Sequence, residues 1–361
     1  MPTRRRRGED EGSFSWQPTS TTAEAWRARI LIGLVLSAFL VWLAFRDIDL
    51  RTMLRQARDF PAEAGLLCLA GQLVVQFLHW TRWGFMARQL GGLGWRQVFS
   101  LGAVGNAALY LMPARLGEVV RPTLMVTETG IDPEGAVATS VVERGVDGLA
   151  VSLLLLAGAP AYLAGTETSP LASWGIVLPA LFLAVVVVSV LALYHEPVVA
   201  NILDAGVGRI SKGLAARLKG FVARFFGATR VLAARHLILP YALLTAGIWV
   251  GESISLRSLV SAVSPETRLP ASLHAIGVLG IANLLPSAPA RVGVFEYAVA
   301  LGLRPFSIAW ADGLLLGAVF HVAALAVVVA CGLAGLWLGR IRFERLVPWR
   351  VPGSPRGSGP S

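Results

Sequence analysis

The chain contains two separated stretches with almost the same sequence, Pro113-Ala114-Arg115-Leu116-Gly117-Glu118 and Pro289-Ala290-Arg291-Val292-Gly293-Val294-Phe295-Glu296. Each follows an apolar segment that contains an asparagine. Proline interrupts a helix because it lacks a backbone N–H and clashes with the preceding turn. In membrane proteins, helices broken at corresponding positions of two halves indicate a substrate site. The two stretches therefore predict a pair of broken helices with a site between them.

The composition is typical of an integral membrane protein. Of the 361 residues, 55% are hydrophobic and only 15% are charged, and the mean hydropathy is +0.63. Soluble domains carry about 25% charged residues. Several apolar runs approach or exceed the roughly 18 residues that indicate a spanning helix, and the alternating segments of membrane barrels are absent from the sequence. We therefore predict an all-α polytopic membrane protein.

The formal net charge of +10 comes mostly from arginine. These arginines lie mainly in loops and tails, as the positive-inside rule requires of cytoplasmic segments. This distribution argues against nucleic-acid binding, for which a basic domain outside the membrane would be needed. Cys68 and Cys331 lie inside apolar runs without CxxC or Cys/His spacing, so we expect no metal site, cofactor or disulfide.

Six apolar runs are long enough to span the bilayer, and two are too short. The six predicted spans are 28–45, 64–83, 133–163, 174–194, 237–260 and 310–337. The short runs, 98–112 and 273–285, would extend about 22 Å and about 20 Å as helices, less than the roughly 30 Å hydrocarbon core. Since a proline follows each short run, we predict two re-entrant, broken helices in addition to the six full spans.

The arginine distribution predicts cytoplasmic termini and breaks that enter from opposite faces. The loop after the second span holds Arg82, Arg88 and Arg96 without an acid, which assigns it to the cytoplasm. Loop 164–173 has no Lys or Arg, which assigns it to the outside. The first break then opens from the inside and the second from the outside, which forms an inverted repeat. Loop 46–61 conflicts with this topology, because it would be external yet carries four arginines.

The chain is predicted to divide into a basic cytoplasmic tail (1–25), a transmembrane domain (26–340) and a second basic cytoplasmic tail (341–361). Both tails contain stretches with the composition of disordered segments. Within the domain, segment 201–235 combines basic and apolar residues at helical spacing. This segment is either an amphipathic helix on the cytoplasmic membrane surface or a solvated helix that packs on its own protein. We expect the protein to reside in the cell membrane.

The residue types at the two breaks suit the binding of an anion. Glycine allows a tight change of direction, and the helix after each break begins with exposed N–H groups. Arginine adds a guanidinium fork that matches phosphate. Alternatively, each arginine pairs with the glutamate of its own break and only holds the turn. The candidate substrate-binding residues are Arg115, Gly117, Glu118, Arg121, Arg291, Gly293 and Glu296.

Four further charged residues fall inside predicted spans: Glu143, Arg144, Asp147 and Glu252. A charge that faces lipid costs about 2.5–3.5 kcal/mol, so these side chains should face the bundle and find partners. Glu143 and Asp147 share a helix face. There they could hold the region of Arg115 and Arg121, relay protons, or form an ion cluster that packs helices. Glu252 could face Arg291.

Three ordered motifs in this chain resemble those of a known family. They are Arg115-Leu116-Gly117-Glu118-Val119-Val120-Arg121, Val142-Glu143-Arg144-Gly145-Val146-Asp147 and Gly293-Val294-Phe295-Glu296. Together they are similar to the lysylphosphatidylglycerol synthase transmembrane region, a flippase-like integral membrane family, over roughly residues 28–340. The second break departs from the family's usual Pro-Gly-Gly, because Arg291 stands where the family tends to be neutral.

The resemblance implies movement of a phospholipid or another lipid-linked head group between leaflets. Bifunctional members carry a soluble aminoacyl-transferase domain after the membrane part, whereas this sequence has only a short tail there, so we do not expect lysyl transfer. Membrane lipids are the expected partners. Two alternatives stay open: an intramembrane transferase that uses a lipid-linked donor, and a non-transporting scaffold for a membrane enzyme that modifies lipids or glycolipids.

The predicted topology can be tested with single cysteines in a background that lacks Cys68 and Cys331. Ser169→Cys, in the loop assigned to the outside, should react with a membrane-impermeant maleimide in intact cells. Ser354→Cys, in the C-terminal tail, should react only after the membrane has been permeabilised. Labelling of Ser354→Cys in intact cells would contradict a cytoplasmic C-terminus.

Overall fold

The computed structural model of the chain describes residues 20–46, 60–112, 117–156, 212–232, 235–285 and 287–341, with a few single positions between these ranges. The regular structure of these residues is helical throughout. The helices are α1 (Ser20–Phe45), α2 (Ala62–Gly91), α3 (Trp95–Leu111), α4 (Gly117–Thr129), α5 (Pro133–Leu156), α6 (Lys212–Leu232), α7 (Arg235–Val263), α8 (Leu269–Ala282), α9 (Val294–Leu303) and α10 (Trp310–Gly339), with 3-10 turns at Pro289–Arg291 and Arg304–Phe306.

Among the described residues, three helices are long and apolar enough to cross a membrane, namely Ala62–Gly91, His236–Val263 and Trp310–Gly339. Each contains one of the predicted spans, which confirms the prediction of a helical polytopic membrane protein. The count of six spans and the opposite entry of the two breaks stay predictions. Span 174–194 and the terminal segments 1–19 and 342–361 fall wholly or almost wholly outside the described residues.

Helices α3 and α4 pack antiparallel as a hairpin on either side of the first break. At the start of α3, the Gly94 N–H donates a hydrogen bond to the Gln97 side chain at 3.1 Å. At the start of α4, Gly117 lies so close to α3 that an added Cβ would be 2.2 Å from the Ala108 carbonyl oxygen. Only glycine permits this approach of one backbone to another. The short run 98–112 is therefore followed by a helix that turns back along it.

Helices α8 and α9 form a second hairpin around the second break. His274, which is buried on α8, places its Nδ1 2.8 Å from the Gly302 carbonyl oxygen on α9. A Cβ at Gly302 would be 2.5 Å from the Ala275 Cα atom, so the backbones are again in close contact. Both broken segments thus fold as tight helical hairpins.

Helix α10 connects the two hairpins through its glycines. An added Cβ at Gly335 would be 2.9 Å from the Ser100 carbonyl oxygen of α3. An added Cβ at Gly317 would be 3.1 Å from the Glu296 Cα atom of α9. One spanning helix therefore touches both hairpins, which fixes their separation.

The remaining long helices enclose the hairpins. Helices α2 and α7 lie side by side, and Gly251 of α7 approaches the Val75 side chain of α2. Helix α1 supports the second break, because the Ser37 hydroxyl accepts a hydrogen bond from the Ala288 N–H at 2.9 Å.

Helix α6 packs on α5 of the same chain. Phe225 and Ala228 of α6 pack against an apolar cluster that includes Ala138 of α5, and Arg224 lies 2.7 Å from Glu134. Residues 212–232 thus pack on the same chain. Whether the segment also touches the membrane surface stays a prediction.

The close contact at Gly117 predicts a stability effect that a distant glycine should not share. Gly117→Ala should lower the free energy of unfolding by about 1–3 kcal/mol, the usual effect of overpacking. Gly227→Ala is the matched control, because a Cβ there would meet no atom within 4 Å. Reversible denaturation in mixed micelles measures both changes. An equal loss in both variants would contradict a specific contact between α3 and α4.

Candidate functional site

A cavity of about 180 Å³ lies between the two hairpins. Helices α2, α5, α7 and α10 contribute to its walls as well. Its charged lining residues are Arg121, Glu143, Arg144, Asp147, Glu252 and Arg291. The cavity therefore brings together one arginine from each hairpin and all four of the intramembrane charges that the sequence indicated.

Arg82 is the cation that holds the acids of α5. Its guanidinium donates to Asp147 at 2.5 Å and 3.1 Å, to Glu143 at 2.9 Å and to the Thr245 hydroxyl at 3.2 Å. Arg82 is completely buried, and its guanidinium also lies 5.3 Å from the centre of the Tyr241 ring. Charge-assisted bonds of this kind are roughly twice as strong as neutral ones. A single residue of α2 thus compensates two carboxylates inside the helix bundle.

The position of Arg82 corrects the sequence assignment. We placed Arg82 in a cytoplasmic loop, but α2 continues to Gly91 and carries it inside the protein. The run of polar residues Gln72, Gln76 and His79 leads to it at helical spacing. That pattern is the sequence signal of an interior polar face on α2.

Glu143 joins Arg82 to the first hairpin. One of its carboxylate oxygens accepts from Arg82, and the other forms a short contact with Arg121 Nη2. The Arg121 guanidinium also lies 5.6 Å from the centre of the Trp83 ring. Glu143 of α5 therefore contacts both α2 and the helix that follows the first break.

The loop of the first break, 113–116, lies outside the described residues, and Arg115 with it. Gly117 and Glu118, which follow at the start of α4, are described. Glu118 Oε1 lies 3.9 Å from Arg144 Nε, and both side chains are substantially exposed.

Arg291 of the second break reaches the end of α3. Its Nη2 donates to the Leu109 carbonyl oxygen at 3.2 Å, and its guanidinium lies 4.6 Å from the centre of the Tyr110 ring. Ala290 and Arg291 have φ values of 56° and 58°. Left-handed backbone at non-glycine residues costs about 1–3 kcal/mol each and is concentrated at functional sites. At the second break, a strained backbone therefore holds Arg291 against the first hairpin.

Glu296 does not form an ion pair with Arg291. One of its carboxylate oxygens accepts from the Gly293 N–H at 2.7 Å, and the other lies 2.7 Å from His321 Nδ1 on α10. The His321 ring stacks on Phe295 with centroids 4.1 Å apart. In the second break, Glu296 thus caps α9 and binds α10. The alternative in which Glu296 pairs with Arg291 is not seen among the described contacts.

Polar side chains and the acid Glu252 also line the cavity or lie beside it. Glu252 of α7 accepts a hydrogen bond from Gln72 at 2.6 Å. Asn106 donates to Gln76 at 3.1 Å. Glu252 and Arg291 line the same cavity, yet no ion pair joins them among the described contacts.

These features define a class, a polytopic helical membrane protein in which two broken hairpins enclose a charged cavity. The family model described as the lysylphosphatidylglycerol synthase TM region matches residues 30–332. The chain therefore belongs to that family, as its motifs indicated. No curated protein and no solved structure shows significant similarity to the chain.

The ion pairs of Arg82 predict a large stability effect. Arg82→Gln should lower the free energy of unfolding by about 3–5 kcal/mol, because it leaves buried carboxylates without their cation. Arg224→Gln removes an exposed arginine from its pair with Glu134 and should change stability by about 1 kcal/mol or less. Denaturation of both variants under one set of conditions gives the comparison. Comparable losses would show that Arg82 does not organise the bundle.

Proposed function

We propose that the protein moves an anionic phospholipid or lipid-linked head group between the leaflets of the cell membrane, and that the cavity holds the head group. The observation that carries this proposal is that Arg121 and Arg291, which come from different hairpins, line one cavity. A site at the junction of two broken segments suits alternating exposure to the two membrane faces. Membership of the family supports a role in lipid modification or lipid movement.

The contacts of Arg291 suit exchange with a phosphate. The Leu109 carbonyl is a neutral acceptor, and the Tyr110 ring offers a neutral face. A phosphate oxygen would form a stronger, charge-assisted hydrogen bond with the same guanidinium. Glu143 binds Arg121 through a buried ion pair. We therefore assign direct phosphate binding chiefly to Arg291, with Arg121 as a fixed positive charge nearby.

The rest of the cavity wall suits a lipid better than a small soluble anion. Apolar side chains from α3, α7, α8, α9 and α10 share the cavity with the charges: Leu109, Ile248, Ile276, Leu279, Phe295 and Phe320. A phospholipid presents an anionic group beside an apolar glycerol backbone and acyl chains. A cavity with both kinds of surface fits that molecule, because each part of the lipid meets a compatible wall.

Translocation of fluorescent lipids in proteoliposomes tests this proposal. Arg291→Ala should slow the movement of a labelled anionic phospholipid by about ten- to one-hundred-fold, as expected when a charge-assisted hydrogen bond of about 1.5–3 kcal/mol is lost. Arg291→Lys keeps the charge but loses the planar fork, and should be intermediate. Chemical quenching of the label in the outer leaflet gives the rates.

The matched control is Arg304→Ala, which removes an exposed arginine outside the cavity and should retain the wild-type rate. Melting curves and gel filtration establish that each variant is folded. If wild-type protein does not accelerate movement of anionic or lipid-linked substrates above protein-free vesicles, the transport proposal fails and the scaffold alternative is favoured. If Arg291→Ala transports as well as wild type, the cavity is not the head-group site.

A further inference from the structure

Glu252 is an intramembrane acid whose environment differs from that of the other acids near the cavity. It lies in the cavity wall within a helix that is apolar enough to span the membrane. Its one described hydrogen bond is the 2.6 Å contact from Gln72. Among the described residues, no Lys, Arg or His lies within 4.0 Å of its carboxylate.

The other acids of this region have cations. Glu143 is bound by Arg82 and Arg121, and Asp147 by Arg82. An uncompensated charge within a membrane helix costs about 2.5–3.5 kcal/mol on insertion scales. Glu252 therefore requires a positive charge that its described protein contacts do not supply. Because Glu252 lines the cavity, a cation in the cavity could supply it.

The charged or titratable groups near Glu252 come from several neighbouring elements. Those that line the same cavity or interact electrostatically with Glu252 are Cys68 and His79 of α2, Tyr110 of α3, Arg121 of α4, Glu143, Arg144 and Asp147 of α5, and Arg291 of the second break. From α8 and α10 the cavity receives apolar side chains, among them Ile276, Leu279 and Phe320. Tyr110 interacts electrostatically with both Glu252 and Arg291, which places the acid and the arginine around one residue.

A proton fits this position better than a metal ion. Glu252 Oε2 accepts an N–H from Gln72, which leaves less of the carboxylate for a metal. The described residues contain no group of three or more His, Cys, Asp or Glu side chains that could hold a metal ion. A proton needs only the carboxylate itself and access to water in the cavity.

We propose that Glu252 binds a proton that crosses the membrane together with the anionic head group, so that the protein is a proton-coupled lipid transporter. This inference rests on the proposed function. A phosphate bound at Arg291 would repel a carboxylate in the same cavity, so phosphate binding favours the protonated acid. By linkage, protonation of Glu252 strengthens phosphate binding by the same factor. The carboxylate takes a proton from hydronium on one face, leaving water, and returns it to water on the other.

The coupling has a definite consequence for charge movement. One proton travels with one negative phosphate charge, so the pair crosses without net charge. A membrane potential therefore acts little on the step, whereas a proton gradient drives it. Protonation also removes the charge of Glu252 while the phosphate occupies the cavity.

Binding measurements at several pH values test the linkage directly. Wild-type protein in detergent should bind short-chain phosphatidylglycerol more tightly as the pH falls, by up to about tenfold for each pH unit, the limit for one linked proton. Glu252→Gln, which mimics the protonated acid, should bind tightly at every pH. Glu266→Gln is the matched control, because it removes the charge of a loop acid that is not in the cavity, and it should keep the wild-type pH profile.

His79 provides the competing explanation, because it also lines the cavity and would gain charge at low pH. If His79→Asn abolishes the pH dependence and Glu252→Gln retains it, the inference is overturned. A second measurement uses wild-type protein alone. In weakly buffered solution, lipid binding should take up protons, and lipid binding without proton uptake would overturn the inference even if the variants fail to fold.

Proteoliposomes separate this inference from the proposed function. A proton gradient in the same direction as lipid movement should accelerate transport by the wild-type protein. The same gradient should not accelerate transport by Glu252→Gln. Lipid movement that ignores the gradient in wild type overturns the coupling but leaves the proposed function intact. An absence of lipid movement under every gradient overturns the proposed function itself.

Discussion

The arrangement of this site depends on Arg82. Its guanidinium forms a bidentate pair with Asp147 and a further hydrogen bond with Glu143. Two carboxylates on one face of α5 could not remain inside a membrane bundle without compensation. Arg82 provides it from α2, and the second oxygen of Glu143 then binds Arg121 of the first hairpin. The hairpin arginine is thus positioned through a chain of charges that runs across three helices.

The two breaks look alike in sequence but use their arginines differently. After the first break, Arg121 is held by an acid from another helix. In the second break, Glu296 is engaged with Gly293 and His321, while Arg291 extends to a carbonyl and an aromatic ring of the first hairpin. The contact of Arg121 is charge-assisted, whereas a phosphate could replace the neutral Leu109 carbonyl as a partner of Arg291. This difference makes the second hairpin the natural element to respond to a bound phosphate.

Much of this organisation could be predicted from the sequence, because proline, glycine and hydropathy act locally. Helices α3 and α8 agree with the predicted short runs to within a few residues, and glycine does open the second half of each hairpin. The interior role of Arg82 was missed, because a cation near the end of an apolar run resembles a loop residue when helix length is read from hydropathy alone. The partner of Glu296 could not be predicted either, since His321 is 25 positions away and meets it only through the packing of α10.

The central claim is that a phosphate head group occupies the cavity between the hairpins. A cryo-EM structure of the protein in nanodiscs that contain an anionic phospholipid tests this claim most directly. We predict head-group density within hydrogen-bond distance of the Arg291 guanidinium, with the contact to the Leu109 carbonyl released. Lipid density confined to the outer surface of the helices, with Arg291 still bound to Leu109, would contradict the claim.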